Sequence, residues 1–255
     1  MSTPLVLLHG FTGSPASWNE VVERLEGDVD VLAPALLGHD PAADFHVEHD
    51  ASCAATMGEE AFGVLVEMES RFGSEPVHVA GYSMGARVAL LMIATAPERF
   101  RSATLLGVHP GLRTERERAE RRTADARWIA LLERGIEPFV DEWERLPLWS
   151  TQARLPAATL AAQRALRLDH DPRGLAQSLR VTGLAEQPDL RPRLGEIALP
   201  VTLMAGEEDP KFLRLAHEAA ALMPNARVVS VPGAGHNLLL ERPEAVAHEL
   251  NRNIR

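Results

Sequence analysis

The sequence predicts an α/β fold in which a doubly wound, mostly parallel sheet carries an inserted helical segment. Apolar runs typical of buried strands alternate with helical apolar spacing over residues 5–108 and again over residues 199–255. Between these parts, residues 113–185 contain helical patterns broken by prolines and no candidate strand. We therefore predict an α/β core of residues 1–112 and 186–255 with a helical cap inserted at 113–185.

The first part of the core begins with an apolar strand, because LVLL is flanked by a loop rich in small residues, HGFTG. Helical spacing and apolar runs then alternate three times, which is the pattern of strands joined by crossover helices. The predicted elements are strands at 5–8, 29–33, 77–80 and 102–108, and helices at 17–25, 54–72 and 84–95.

The second part of the core resumes the same alternation after the cap. LPVTLMA and ARVVSV are apolar runs of strand length, and the spacing between and after them is helical. The predicted elements are strands at 199–205 and 226–231, and helices at 212–222 and 243–255.

The turn between the strand at 77–80 and the helix at 84–95 reads Gly-Tyr-Ser-Met-Gly. A G-x-S-x-G turn between a strand and a helix presents its serine on a strained tip, with the small residues avoiding collisions. Ser83 is therefore the predicted nucleophile or base. The amide of Met84, at the helix N-terminus, and the amide of Phe11, in the early HGFTG loop, are the predicted oxyanion donors.

A serine hydroxyl needs a histidine to take its proton and a carboxylate to orient that histidine. In the order expected for this pattern, Asp209 follows the strand at 199–205 and His236 follows the last strand. These loops lie at the carboxyl ends of parallel strands, so we expect the three side chains to converge. Glu207 and Glu208 are alternatives for the acid.

Composition limits the partners of the protein. The 255 residues carry a formal net charge of -10, which disfavours nucleic acid and anionic membrane as the main partner. Cys53 is the single cysteine, so an intramolecular disulfide is excluded, and the first residues lack the pattern of a signal peptide or membrane span. We expect a cytoplasmic protein without membrane insertion, and the sequence gives no prediction of its oligomeric state.

The cap begins with an arginine-rich helical stretch. Arg118, Arg121 and Arg122 have the spacing of one helix face, and Arg87 lies one turn beyond Ser83. Guanidinium groups match carboxylates, so a small anionic substrate is one interpretation. Interleaved glutamates leave a solvated helix with weak ion pairs as the other.

The polar stretch at 40–50 contains His46, Glu48, His49 and Asp50. Its histidines are three apart and no further partner has ligand spacing, which is more typical of a solvated surface than of a metal site. We expect neither a metal nor an organic cofactor.

Six motifs spread nearly end to end can be read together: residues 9–13, 81–87, 109–112, 118–121, 187–190 and 206–212. Together they resemble the SHCHC synthases of menaquinone biosynthesis, a family with the α/β-hydrolase fold. The resemblance implies a lyase that eliminates pyruvate from SEPHCHC, a tricarboxylate, with a triad that abstracts a proton.

The resemblance also implies the site residues. Ser83, Asp209 and His236 would be catalytic, and the amides of Phe11 and Met84 would form the oxyanion hole. The implied substrate contacts are Arg87, Arg121 and Arg167 for carboxylates, with Tyr82 and Trp143 lining the pocket; Arg164 is an alternative to Arg167.

Two other functions remain open at the level of sequence. A carboxylesterase or carbon-carbon bond hydrolase would use the same triad on a neutral or singly charged substrate. A binding protein without activity would have little use for an intact triad.

Overall fold

The computed structural model describes residues 2–40 and 56–255. Within these residues the strands form one sheet of order β2-β1-β3-β4-β5-β6, and every recorded pairing is parallel. The strands are β1 Thr3–Leu8, β2 Val29–Leu32, β3 Val77–Tyr82, β4 Phe100–Leu106, β5 Val201–Gly206 and β6 Ala226–Val231. The predicted α/β fold with a parallel sheet is confirmed.

Helices connect these strands on both faces of the sheet. The α-helices of the described residues are α1 Asn19–Val22, α2 Met57–Phe72, α3 Met84–Thr95, α4 Glu115–Leu132, α5 Ile136–Trp143, α6 Ala157–Leu168, α7 Pro172–Thr182, α8 Arg191–Leu194, α9 Pro210–Ala220, α10 Leu238–Glu241 and α11 Pro243–Ile254. Cys53, the first residues of the helix predicted at 54–72, and the polar stretch from residue 41 to residue 50 lie outside the described residues.

The two faces of the sheet bury separate apolar cores. On one face, helices including α2 and α3 pack Met68 and Leu90 against Val79. On the other, Trp18 and Leu250 pack against Leu7. Burying the strands on both faces removes most of their apolar surface from water, which explains their continuous apolar runs. The functional loops therefore lie at the carboxyl edge of the sheet.

The chain between β4 and β5 is described throughout and contains helices but no strand. Its first long helix, α4, begins with a capping box in which Thr114 Oγ1 accepts from the Glu117 amide at 3.2 Å and Glu117 Oε2 accepts from the Thr114 amide at 2.8 Å. Leu132, Phe139 and Leu175 form a small core of their own within these helices. The domain limits at 113 and 185 stay a prediction.

No helix in the described parts of the chain combines the length and apolarity needed to cross a membrane.

Candidate active site

The strand-to-helix turn after β3 holds Ser83 in a strained conformation, with φ 52° and ψ -104°. A side chain at Gly81 would collide with the backbone of Gly85, and one at Gly85 would collide with the carbonyl oxygens of Leu8 and His9. The amide of Ser83 donates to the Leu106 carbonyl at 2.8 Å, which ties the turn to the end of β4. The serine is thus fixed at the N-terminus of α3.

Ser83, His236 and Asp209 form a hydrogen-bonded chain. His236 Nε2 lies 3.1 Å from Ser83 Oγ, and His236 Nδ1 lies 2.8 Å from Asp209 Oδ2. With its Nδ1 proton donated to the carboxylate, the imidazole presents Nε2 as the acceptor for the serine hydroxyl. This arrangement can remove a proton through serine and histidine, while the catalytic roles of the three residues remain a prediction.

The carboxylates considered as alternatives to Asp209 point elsewhere. Glu208 Oε1 accepts from Arg154 Nη1 at 2.6 Å, and Glu207 Oε2 accepts from the Gly233 amide at 3.2 Å. Both glutamates are exposed, whereas Asp209 is buried and also caps α9 through the Phe212 amide at 3.3 Å. The geometry therefore favours Asp209 as the partner of the histidine.

Separate contacts hold the imidazole of His236 and the backbone on either side of it. A side chain at Gly107, whose φ is +60°, would place its Cβ 2.8 Å from His236 Cε1. On either side of the histidine, the buried carboxylate of Glu241 accepts from the Gly235 amide at 2.8 Å and from the Asn237 amide at 3.2 Å. Sequence reasoning missed Glu241.

The loop with the predicted oxyanion donor Phe11 is held by buried histidines. Thr12, which has a positive φ of 62°, donates its amide to His39 Nε2 at 3.1 Å. The His39 ring also meets the Phe11 ring edge to face at 5.6 Å. Burial, with smaller contributions from His9 and His170, holds the pKa of His39 well below its usual range, so it accepts as a neutral ring.

Ser83 opens into a cavity of about 250 Å³, here called the serine cavity. Phe11 and Met84 line it, as the predicted oxyanion hole requires. Its wall also carries the cations Arg87, Arg121 and Lys211. In a protein of net charge -10, this local excess of positive charge favours an anionic ligand.

Arg87 and Arg121 are held differently. Arg87 Nη1 donates to the Thr182 carbonyl at 2.8 Å, and burial, followed by repulsion from Arg121, lowers the pKa of Arg87 to about 9, which leaves it charged at neutral pH. Arg121 Nε lies 2.9 Å from both carboxylate oxygens of the buried Asp125. That contact uses Nε and leaves the outer nitrogens of Arg121 available to a ligand.

The arginine face predicted for the cap helix divides into different roles. Arg121 reaches the serine cavity, whereas Arg118 Nη1 donates to the carbonyls of Ala185 and Gln187 at 2.8 and 2.6 Å. Arg122 pairs with Glu115 and Glu186 at the surface. The surface ion pairs that one interpretation predicted are present at Arg122, and binding of an anionic substrate by Arg121 stays a prediction.

Aromatic rings form much of the remaining wall. Tyr82 and Trp143, both predicted to line the pocket, do line the serine cavity, together with Trp128 and Trp149. Burial raises the pKa of Tyr82 above its usual range, so its hydroxyl stays protonated. The rings supply an apolar part of the wall of the same cavity.

Arg167 lies in a neighbouring cavity of about 460 Å³, the Arg167 cavity, which shares Phe11, Tyr82 and Trp149 with the serine cavity. Its Nη1 donates to Glu144 Oε1 at 3.0 Å, and its guanidinium lies 5.4 Å from the centre of the Trp149 ring. Arg164, the alternative, pairs with Asp141 and Glu144 at the surface. Of the two, Arg167 is the one beside the site, although it does not line the serine cavity.

Lys211 and His109 also line the serine cavity and were not predicted as site residues. Lys211 is the single lysine of the sequence and lies two residues after Asp209. His109 lies two residues after Gly107, where β4 has ended. The position of each just after a strand end was the signal that could have identified them.

The sequence matches the model of the alpha/beta hydrolase family over residues 5–249. A protein of Citrobacter koseri named 2-succinyl-6-hydroxy-2,4-cyclohexadiene-1-carboxylate synthase is 34% identical over 254 residues, covering 98% of this chain and 93% of its own. A Bacillus subtilis (strain 168) protein, whose name gives the same activity provisionally, is 37% identical over 95% of this chain and 86% of its own.

Among solved structures, MenH from S. aureus superposes with a TM-score of 0.90 at 29% sequence identity. The superposition covers 99% of this chain and 93% of that one. The full-length match in sequence and in structure confirms the family that the motifs indicated. The chain therefore belongs to the alpha/beta hydrolase family and, within it, to the 2-succinyl-6-hydroxy-2,4-cyclohexadiene-1-carboxylate (SHCHC) synthases.

Proposed function

We propose that the protein is an SHCHC synthase, a lyase of menaquinone biosynthesis that eliminates pyruvate from SEPHCHC. The observation that carries the proposal is the grouping of Arg87, Arg121 and Lys211 around the cavity into which Ser83 opens. The carboxylates of a tricarboxylate substrate can pair with these cations, whereas a neutral ester has no charged group to pair with them. The protein relatives that carry the synthase name support the same function.

The reaction begins with removal of a proton from the ring carbon that bears the succinyl group. Ser83 Oγ takes this proton as its own passes to His236 Nε2, and Asp209 stabilises the resulting imidazolium. The electrons of the broken C–H bond form a new ring double bond, the existing double bond shifts, and the C–O bond to the enolpyruvyl group breaks. The departing enolate then takes up a proton and leaves as pyruvate.

Negative charge develops on the succinyl carbonyl oxygen while the proton is removed. Phe11 and Met84 line the serine cavity, and we assign their amides as the donors to this oxygen. Met84 lies at the N-terminus of α3, where the helix dipole adds to the stabilisation. No metal or organic cofactor takes part in this scheme.

The remaining predicted contacts divide by chemistry. We assign substrate carboxylates to Arg87, Arg121 and Lys211 in the serine cavity, and the apolar ring face to Tyr82 and Trp143. Arg167 would receive a carboxylate that extends past Tyr82 into the Arg167 cavity. The substrate is thus recognised by charged groups together with an apolar part of the wall.

Purified protein incubated with SEPHCHC should release pyruvate, which a coupled dehydrogenase assay detects, and should turn over p-nitrophenyl acetate slowly. Ser83→Ala should lower kcat by at least about 10²-fold, because it removes the group that accepts the proton. The matched control is Ser230→Ala, on an exposed serine of β6. Fast ester hydrolysis without pyruvate release would assign the protein to the esterases instead.

A further inference from the structure

His109 has a side chain that the scheme above leaves unassigned. It is 8% exposed and lines the serine cavity. The Gly111 amide donates to its Nδ1 at 3.1 Å. In the neutral ring the proton therefore resides on Nε2, and no residue of the described ranges accepts a hydrogen bond from it.

The backbone turn that carries His109 is itself held in place. Gln187 Nε2 donates to the His109 carbonyl at 2.8 Å, and the Leu190 amide donates to the Pro110 carbonyl at 2.8 Å. Gly111 has a φ of +109°, and a side chain there would collide with Pro188. The turn that carries His109 thus has little freedom to redirect its Nε2.

The electrostatic surroundings keep His109 uncharged. Burial, followed by the charges of Lys211, Arg87, Arg191 and Arg121, lowers its pKa to about 3. A protonated imidazole would repel the neighbouring cations, whereas a neutral one donates a hydrogen bond without adding charge. Such a donor suits an oxygen atom that already interacts with cationic groups.

We propose that His109 is a substrate-binding residue whose Nε2–H donates to a carboxylate held by Arg87, Arg121 and Lys211. The identity of the substrate rests on the proposed function, but recognition of a carboxylate by His109 does not require turnover. His109 then contributes to specificity by orienting the carboxylate. A hydrogen bond from one N–H group restricts the orientation of the carboxylate more than the surrounding charges do.

Two variants separate this role from a purely structural one. His109→Asn places an acceptor where Nδ1 meets the Gly111 amide but ends short of the Nε2 position. His109→Gln places an amide N–H near the Nε2 position instead. The matched control is His78→Leu. His78 is a buried histidine near the start of β3, at the end of that strand away from Ser83, and its Nδ1 lies 2.8 Å from Ser102 Oγ.

The measurements are the dissociation constant of tricarballylate by calorimetry, the KM and kcat for SEPHCHC, and the Tm of each variant. His109→Asn should weaken tricarballylate binding and raise KM by about tenfold, with little change in kcat or Tm. His109→Gln should recover most of the lost affinity, and His78→Leu should lower Tm without changing affinity.

The proposal is overturned if wild-type protein does not bind tricarballylate, or if His109→Asn binds it as tightly as wild type. It is equally overturned if His109→Gln binds no better than His109→Asn while both remain folded. Failure of the proposed function would give a different result. Wild-type protein would then release no pyruvate from SEPHCHC, whatever its affinity for tricarballylate.

Discussion

Glu241 stabilises the histidine loop without touching the other triad residues. Its two carboxylate oxygens accept from the amides of Gly235 and Asn237, which flank His236 on either side. A buried carboxylate is costly unless it is hydrogen-bonded, and here both of its oxygens are satisfied by backbone donors. We therefore infer that Glu241 positions His236 by fixing the backbone on both sides of it.

Glu241→Gln should lower both stability and activity, because an amide presents one acceptor where the carboxylate presents two. The free energy of unfolding should fall by about 2 kcal/mol, the net value of a hydrogen bond to a charged group. We expect kcat for pyruvate release to fall about tenfold with KM nearly unchanged. Urea unfolding and steady-state kinetics check this, with Glu244→Gln, on an exposed glutamate, as the control.

Single residues were predictable where a motif names them. Ser83, Asp209 and His236 each follow a recognisable strand, and the structure brings them within hydrogen-bond distance. Glu241 belongs to no such motif, and the motif at 109–112 assigns no role to His109. The roles of both residues depend on backbone amides whose directions the sequence does not specify. The substrate contacts of the arginines remain predictions.

The turn from β3 into α3 concentrates the close contacts of the site. The Gly85 backbone lies against the end of β1, where a Cβ would overlap the carbonyl oxygens of Leu8 and His9. The strained conformation of Ser83 persists because this packing allows no other path for the chain. A substitution in the turn therefore affects the core and the site together.

Gly85→Ala should destabilise the fold by about 1 to 3 kcal/mol, since the added methyl group forces α3 away from β1. Pyruvate release should fall with it, because the displaced helix carries Met84 and Ser83. Gly63→Ala is the matched control: Gly63 lies in α2 with no heavy atom within 4 Å of the added carbon. That change should stabilise by about 0.5 to 1 kcal/mol in thermal unfolding. Equal stability of the two variants would contradict this account of the turn.

Helices were predicted most accurately where the sequence marks both of their ends. The helix predicted at 84–95 is α3, because the elbow starts it and Pro97 follows its end. The helix predicted at 17–25 instead forms a 3₁₀ helix at Pro15–Trp18 and the short helix α1. Its apolar spacing serves to bury Trp18 and Val21, and a single turn is enough for that.

Buried, neutral histidines make the stability of the molecule depend on pH. Burial is the main cause that lowers the pKa of His9 and His78 to about 4, and it also lowers the pKa of His39 and His170. Below pH 6.5 these histidines bind protons in the unfolded chain but stay unprotonated in the folded chain. The free energy of unfolding should therefore fall as pH decreases from about 6.5 to 4, by up to about 1.4 kcal/mol per pH unit for each such histidine.

The His78→Asn variant tests this pH dependence, because Asn can keep the contact with Ser102 but does not titrate. Between pH 7 and pH 5, its free energy of unfolding should fall by about 1 to 2 kcal/mol less than that of wild type. Urea titrations at several pH values measure the difference. Ser230→Ala, which changes an exposed residue that does not titrate, is the control and should keep the wild-type slope. Parallel curves for wild type and His78→Asn would exclude His78 as a contributor.

The overall fold was predictable because each strand is an apolar run separated from the next by helical spacing. The serine cavity was harder to predict from the sequence, because its wall is formed by residues from distant parts of the chain. Arg121 comes from α4, Trp149 from the 3₁₀ helix at Pro147–Arg154, and Lys211 from α9. No local pattern in the sequence shows how the helices between β4 and β5 pack relative to the sheet. The sequence therefore could not show that Arg167 lines a cavity of its own.

The location of Lys211 should allow the protein to be labelled covalently at one site in the serine cavity. It carries the single ε-amine of the sequence, is exposed, and lines the serine cavity. The surrounding protein and the charge of Arg121 lower its pKa below that of an ordinary lysine, so more of it is the reactive free amine. Acylating reagents that target amines should therefore attach a fluorophore or spin label to this residue of the cavity wall, from which ligand binding can be followed directly.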